Sequence, residues 1–273
     1  MLWTGIQTEG THPMSTYANI LFEHEGPIAR ITLNRPTAAN GIDQALADEL
    51  AQAAAYCSDD PAIKVVVLTG AGRFFSAGGD VRAMADSQDT GAFIDKLAGT
   101  LHHAVSAFAR MDALLIVGVN GTAAGAGFSL AVSGDLVVAS ESASFTMAYT
   151  KVGLSPDGGA SYYLPRLIGL RRTQELMLTN RTLTASEALD WGLLHRVVPA
   201  DELTATVEEL AQEFANGPKQ SNANVKKLLL VSSQHTLEEQ LGTEATFITH
   251  AAESADGAEG IAAFVGKRAP KFS

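Results

Sequence analysis

The chain has 273 residues, 46% of them hydrophobic and 18% charged, which fits one large globular domain, alone or with a small appendage. A formal net charge of −11 disfavours nucleic acid as a partner, because phosphate backbones need concentrated Lys and Arg; an anionic small ligand held by local dipoles stays open. The single cysteine, Cys57, excludes an internal disulfide framework and fits a reducing compartment, and no apolar run approaches the length of a membrane span.

Residues 1–14 read as a loose tail, with Met14 a second candidate initiator. They lack the basic and apolar regions of a secretory leader, so a cytoplasmic protein without membrane attachment is expected. Further on, Ala29, Ile31 and Leu33 alternate with Arg30 and Thr32, which predicts a half-buried strand ending at Asn34-Arg35-Pro36. Ile42, Leu46 and Leu50 recur at helical spacing and predict a helix over 42–57, near whose end Cys57 reads as a small core residue. The β-branched run Val65-Val66-Val67-Leu68 predicts a strand closed by Gly70-Ala71-Gly72. A helix should begin at Arg82-Ala83-Met84, with Asp80 placed to cap it. The stretch 84–98, rich in Gly, Asp and Ser, reads as mobile. A long helix over 92–109, a strand over 114–119, a helix opened by Gly125 and a strand over 136–138 follow. Strands alternating with crossover helices imply an α/β fold with parallel pairing and right-handed connections. Beyond Ala200 the segments 203–216, 221–233, 236–254 and 257–266 look helical throughout, with Thr236 and Glu239 forming a capping box.

Two segments follow buried strands and run into helices with small residues where the helix starts. The first is Phe74-Phe75-Ser76-Ala77-Gly78-Gly79-Asp80-Val81, and the second spans Asn120 to Ser129 through Gly125-Ala126-Gly127. Backbone N–H groups near Gly79 and at Ala126 would sit at helix N-termini, where an anionic oxygen is favoured. Two such donors aimed at one point make an oxyanion hole for a thioester enolate. Taken alone, the first segment reads more readily as a glycine turn with an N-cap. Neither is a dinucleotide fingerprint, since Arg73-Phe74-Phe75 and Phe128-Ser129-Leu130 follow the paired glycines where a third Gly is needed. Gly127-Phe128-Ser129 is followed by Leu130-Ala131 and so fails as a nucleophile elbow. The histidines and acids never assume metal-ligand spacing, so no metal is expected.

Asn34-Arg35-Pro36 with Asn40, Ser76-Ala77-Gly78-Gly79-Asp80, and Asn120-Gly121 leading into Gly125-Ala126-Gly127 together resemble the crotonase, or enoyl-CoA hydratase/isomerase, superfamily. The resemblance continues through Gly153-Leu154-Ser155-Pro156-Asp157-Gly158-Gly159, Leu164-Pro165-Arg166, Ala185 to Leu194, and Phe264 to Pro270. It implies a spiral of ββα turns over 15–200 carrying an acyl-CoA site, and a C-terminal helical trimerisation region over 201–273. It also implies coenzyme A thioester substrates, no cofactor beyond the coenzyme A of the substrate, and a homotrimer or dimer of trimers. Gly79 and Ala126 fall on the family's oxyanion-hole positions. Thr37, Ala38 and Ala39, together with Ala77, Gly78, Asp80, Val81 and Arg82, fall where the family contacts the coenzyme A portion. Lys267 and Arg268 resemble the basic pair that reaches a neighbour's coenzyme phosphates; they also fit a solvated pair complementing a helix dipole.

A typical hydratase of the family carries two glutamates that position water, and Ser129 and Tyr149 stand in those two places. Asp157, in a loop bordering the family's acyl pocket, instead resembles the carboxylate of isomerases such as 1,2-epoxyphenylacetyl-CoA isomerase. One carboxylate suffices for a 1,3-proton shift: it takes an α-proton, the hole holds the enolate, and the same acid returns the proton at γ. Asp157 fits equally well as the N-cap of a helix over 160–164. The stretch from Leu176 to Leu193 resembles 4-chlorobenzoyl-CoA dehalogenase, in which Asp157 would be the nucleophile and His102 the base. His102 and His103 otherwise read as packed or solvated residues of a long helix, and Tyr149 as a residue that bonds an acyl substituent or packs beside it. The expected function is therefore an enolate-forming acyl-CoA isomerase with Asp157 as acid/base. The alternatives are a hydratase with another water arrangement, dehalogenase-like hydrolysis, and a non-catalytic acyl-CoA-binding homologue.

Overall fold

The computed structural model describes residues 17–273, and the tail expected over 1–14 lies outside the described residues. An antiparallel hairpin, β1 (Ile20–Glu25) and β2 (Ile28–Leu33), opens the fold. The alternation at Ala29, Ile31 and Leu33 buries all three side chains. The first helix, α1 (Gln44–Asp59), starts two residues later than expected from Ile42, because Asp43 caps it by accepting the Leu46 N–H at 2.9 Å. Ile42 forms a backbone bridge to Gly79 instead. Cys57 is buried on α1, and burial pushes its thiol up to about 12, so it stays a protonated core residue.

Three times a buried strand is followed by a short second strand and then by helix. The first turn is β3 (Val65–Gly70), β4 (Phe74–Ser76), α2 (Val81–Ala85) and α3 (Thr90–Arg110). The second is β5 (Leu114–Val119), β6 (Thr122–Ala124) and α4 (Ala126–Ala131). The third is β7 (Leu136–Ser140), β8 (Ser144–Thr146) and α5 (Ala160–Thr179), kinked at Gly169. After β9 (Leu183–Thr184) and α6 (Ala185–Asp190) comes the edge strand β10 (Arg196–Val198). The long strands form a six-stranded sheet in the order β1-β2-β3-β5-β7-β10, and the short ones a four-stranded sheet in the order β4-β6-β8-β9. Pairing is parallel except for β1 with β2 and β8 with β9. This is an α/β fold with mixed sheets, built as a spiral of ββα turns with C-terminal helices.

The main core, which includes Phe75, Phe108, Phe128 and Phe145, lies between the sheets and the helices α1, α3 and α5. A second cluster joins the opposite face of the large sheet to α7 (Leu203–Ala215) through Val207 and Leu210. The chain ends in α8 (Lys219–Val231), α9 (Leu237–Glu253) and α10 (Ala255–Val265). The capping box at Thr236 and Glu239 opens α9. No residue of α9 is buried, and Ile248, Ile261, Phe264 and Val265 are exposed. The expected mobile stretch 84–98 is largely helical: Asp89 accepts the Ala92 N–H at 3.0 Å and starts α3 at Thr90.

Candidate active site

The spiral brings the end of each short strand to one region of the molecule, and backbone hydrogen bonds fasten the segment after β4 to the loop after β2. Ala77 N–H donates to Ala39 O (2.9 Å), Ile42 N–H to Gly78 O (2.7 Å), and Asp80 N–H to Ile42 O (2.9 Å). Buried Asn40, in a left-handed conformation, holds the same loop from within. Its Nδ2 donates to the carbonyls of Ala71, Phe74 and Phe75, and its Oδ1 accepts the Arg35 N–H. The Arg35 guanidinium pairs with Asp43 (2.9 Å) and Asp80 (3.2 Å), the residues that cap α1 and α2.

This zipper fixes where two N–H groups point. The parallel bridge uses Gly78 O and Asp80 N on the Ile42 side, so the N–H of Gly79, between them, faces the other way. Ala126 is the first residue of α4, so its N–H has no partner within the helix. Both residues line one cavity. The loops carrying them touch at Gly78, whose φ is +90°: a Cβ there would sit 2.6 Å from Ala124 O and 3.1 Å from Ala126 N. At Gly127 a Cβ would meet Ser76 O at 2.4 Å, so α4 can seat on β4 only without a side chain there.

The cavity, of about 240 Å³, is walled by apolar side chains that include Ile42, Met84, Ile94, Leu97 and Leu154. Among the described residues Asp157 is the one acidic side chain in its lining. The Tyr149 hydroxyl donates to Asp157 Oδ1 at 2.6 Å. With its proton committed there, the Tyr149 oxygen accepts from Ser129 Oγ at 3.0 Å. Burial, and then the charge of Asp157, push the Tyr149 hydroxyl well above the ordinary tyrosine range, so it stays a phenol and a donor. On the other side, His102 Nε2 lies 3.7 Å from Asp157 Oδ2 and accepts the Gly158 N–H at 3.2 Å. The carboxylate of Asp157 caps nothing: the N-cap of α5 is Gly159, which has φ +86°, and no side chain caps the helix. A free carboxylate oxygen in an apolar chamber beside two outward N–H groups is an arrangement suited to moving a proton next to a carbonyl.

The sequence matches the family described as enoyl-CoA hydratase/isomerase over residues 23–273. The chain belongs to the enoyl-CoA hydratase/isomerase family. It is similar to 1,2-epoxyphenylacetyl-CoA isomerase of Escherichia coli K12, with 36% identity over 259 residues covering 93% of this chain and 98% of that one. It is also similar to carnitinyl-CoA dehydratase of Salmonella typhi, with 37% identity over 250 residues covering 90% and 94%. Among solved structures, an enoyl-CoA hydratase from Polaromonas sp. JS666 superposes with a TM-score of 0.88 at 32% identity, covering 93% of this chain and 99% of that one.

In this enoyl-CoA hydratase/isomerase family member, Gly79, Ala126, Tyr149 and Asp157 meet at the cavity together with Ala77 and Val81. Thr37 and Ala38 lie on an exposed 3-10 turn followed by Ala39, and the zipper sets that turn beside Ala77 and Gly78. Asp80 is occupied in capping α2 and pairing with Arg35, and Arg82 is exposed on α2. Lys267 and Arg268 do not line the cavity; Arg268 makes a bidentate pair with Glu259 (2.6 and 2.8 Å), which holds that carboxyl at about 2. His102 stands beside the acid, as the dehalogenase resemblance implied, whereas helical spacing alone shows only that it flanks the buried stripe of Leu97, Leu101, Ala104, Val105 and Phe108. The coupling of Ser129 to Tyr149 was equally hidden, since it crosses from α4 to a 3-10 turn. Among the described residues no group of three His, Cys, Asp or Glu side chains could hold a metal ion, and no helix is long and apolar enough to cross a membrane.

Proposed function

We propose that this family member moves the double bond of an enoyl-CoA, with Asp157 as the single acid/base. The carrying observation is that Asp157 is the one acid lining the cavity, while Ser129 and Tyr149, in the places of a hydratase's two glutamates, direct their hydroxyls along a chain that ends on Asp157. The thioester oxygen accepts from the N–H groups of Gly79 and Ala126. Asp157 Oδ2 takes the α-proton, the electron pair moves into the enolate, and the carboxylic acid returns the proton at γ. Tyr149 holds Oδ1, so the lone pairs of Oδ2 are the ones aimed at carbon. The relatives include an isomerase and a dehydratase, so the choice rests on these side chains.

On the same reading Thr37, Ala38 and Ala39, with Ala77, Gly78, Asp80, Val81 and Arg82, contact the coenzyme A portion through their backbone or rim positions. No cofactor beyond the coenzyme A of the substrate takes part. The exposed apolar faces of α9 and α10 pack against further copies in a homotrimer or dimer of trimers, with Lys267 and Arg268 reaching a neighbour's coenzyme phosphates. A cytoplasmic location, suggested by the single cysteine, belongs to the same reading.

The test is mass spectrometry of 3-hexenoyl-CoA incubated with the protein in D2O. A 2-enoyl product of unchanged carbon skeleton, formed without addition of water, supports the proposal. The substitution Asp157→Asn should abolish that turnover and leave binding of a CoA thioester intact. A hydrated product, or substrate left untouched, would overturn it.

A further inference from the structure

We propose that His102 carries protons between Asp157 and the solvent of a second cavity, so that the proton returned to the substrate comes from water. The inference rests on the isomerase reading of Asp157. Two cavities lie on either side of this pair. Asp157 lines the apolar chamber of about 240 Å³, and His102 does not. His102 lines a separate cavity of about 380 Å³ with Ser106, Arg110, Tyr162, Tyr163 and Gln234, and Asp157 does not. The two side chains face each other across the wall, His102 Nε2 to Asp157 Oδ2 at 3.7 Å, and the histidine side chain is 49% exposed.

The hydrogen bonding of the imidazole suits this task. Gly158 N–H donates to Nε2 at 3.2 Å, so Nε2 presents a lone pair and the ring proton sits on Nδ1. Once Asp157 has taken the α-proton, its O–H displaces the Gly158 N–H from that single lone pair. A small turn of either side chain closes the remaining distance; catalytic contacts in an unliganded site are often this long. The acid proton passes to Nε2, and the Nδ1 proton leaves to water in the second cavity. Reversal delivers a water proton to Asp157 and then to Cγ. No electrons are exchanged and the ring ends in its starting charge. Tyr163, in the lining of the second cavity, has its hydroxyl pushed above the ordinary range by burial and then by Asp135, so it remains a neutral wall.

The alternative is internal return. An acyl chain filling the first cavity excludes water from Asp157, so without a relay the proton taken from Cα is the one given to Cγ. His102 thus acts through Asp157, not on the substrate, and deuterium content separates its role from a structural one. In D2O, the wild type should give 2-hexenoyl-CoA carrying deuterium at Cγ from the first turnover. His102→Gln keeps an acceptor for the Gly158 N–H but cannot relay; its product should carry several-fold less deuterium per turnover. Should His102→Gln fail to turn over, His102→Ala with added 4-methylimidazole decides: restored, deuterium-labelled product supports the relay, and no restoration overturns it. Equal labelling by wild type and His102→Gln, or wild-type isomerisation without label, overturns the relay alone. A wild type that does not isomerise sinks the isomerase reading beneath it.

Discussion

Replacing Gly78 by alanine tests whether the two N–H groups act as one device. The residue has φ +90°, and an added Cβ would sit 2.6 Å from Ala124 O, a backbone atom that cannot rotate away. Restoring an ordinary contact of 3.4 Å requires the loops to part by 3.4 − 2.6, or about 0.8 Å. That motion moves Ala126 N–H away from Gly79 N–H, because the same Cβ would also press on Ala126 N at 3.1 Å. Misplacement near 1 Å at a reacting centre costs roughly 100-fold in rate. The left-handed conformation and the forced contact should together destabilise the fold by about 3 kcal/mol. Gly26→Ala is the control: Gly26 has φ +55° but nothing within 4 Å of an added Cβ, so it carries the backbone strain without spreading the loops. Steady-state kinetics with 3-hexenoyl-CoA and urea denaturation, run on both variants, separate the two effects. A folded Gly78→Ala variant with kcat/KM within about threefold of wild type, less than 1 kcal/mol of lost transition-state stabilisation, would refute the reasoning.

Three further variants carry expected outcomes. Tyr149→Phe removes the 2.6 Å hydrogen bond to Asp157, and a bond to a charged group is worth about 1.5–3 kcal/mol, so kcat should fall by roughly 10–100-fold with KM little changed. The same variant carries a pH signature. The folded hydroxyl is held above its ordinary value of 10.0, so its stabilising contribution is complete below about 10 and is lost as pH rises beyond it; thermal melts of the wild type should fall more steeply there than those of Tyr149→Phe. Asn40→Asp sets a carboxylate oxygen against the carbonyls of Ala71, Phe74 and Phe75 in place of a donor, and should lower stability by about 3 kcal/mol or more in urea; an unchanged midpoint would contradict the zipper. Phe264, 87% exposed on α10, belongs to the proposed contact between copies, so Phe264→Glu should sediment as a smaller species than wild type; a monomeric wild type would remove the trimer from the reading.

The long elements were legible because each carries a period or an unbroken apolar run. Ala29, Ile31 and Leu33 alternate, and Leu114 to Val119 forms a buried strand over the expected residues. The second sheet was not, because β4, β6 and β8 have three residues each, too few to show any period, and are held by pairing with one another. Ile42 misled as a helix start for a related reason: it looks like the first of an apolar stripe, but its backbone is taken by Gly79. At the site, glycines gave the strongest signal, since Gly78 and Gly127 mark close backbone approach and their neighbours carry the outward N–H groups. Local spacing is silent about the acid's surroundings, because Ser129, Tyr149, His102 and Asp157 come from four separate segments; only the family resemblance set Ser129 with Tyr149 and His102 with Asp157, and it did not show which of them share a hydrogen bond.

The same packing explains why this site is organised around one acid. Ser129 is fully buried, and a Cβ added at Gly158 would lie 2.9 Å from Ser129 Cβ. The loop that carries Asp157 therefore closes directly over position 129, leaving no room for a longer side chain without displacing Gly158 and the acid beside it. Gly158 has φ +62°, and its N–H is the donor held by His102, so that displacement would also release the histidine. A second carboxylate at 129 would in addition compete for the Tyr149 hydroxyl and set a like charge near Asp157, forcing one of the two to take up a proton. A serine at 129 instead lets the hydroxyl chain run in one direction, from Ser129 through Tyr149 to Asp157, and keeps the other carboxylate oxygen free. On the proposed reading, close contact at position 129 as well as residue type stands against two acids acting on one water, whereas a proton passed between two carbons by one carboxylate needs only the oxygen that remains.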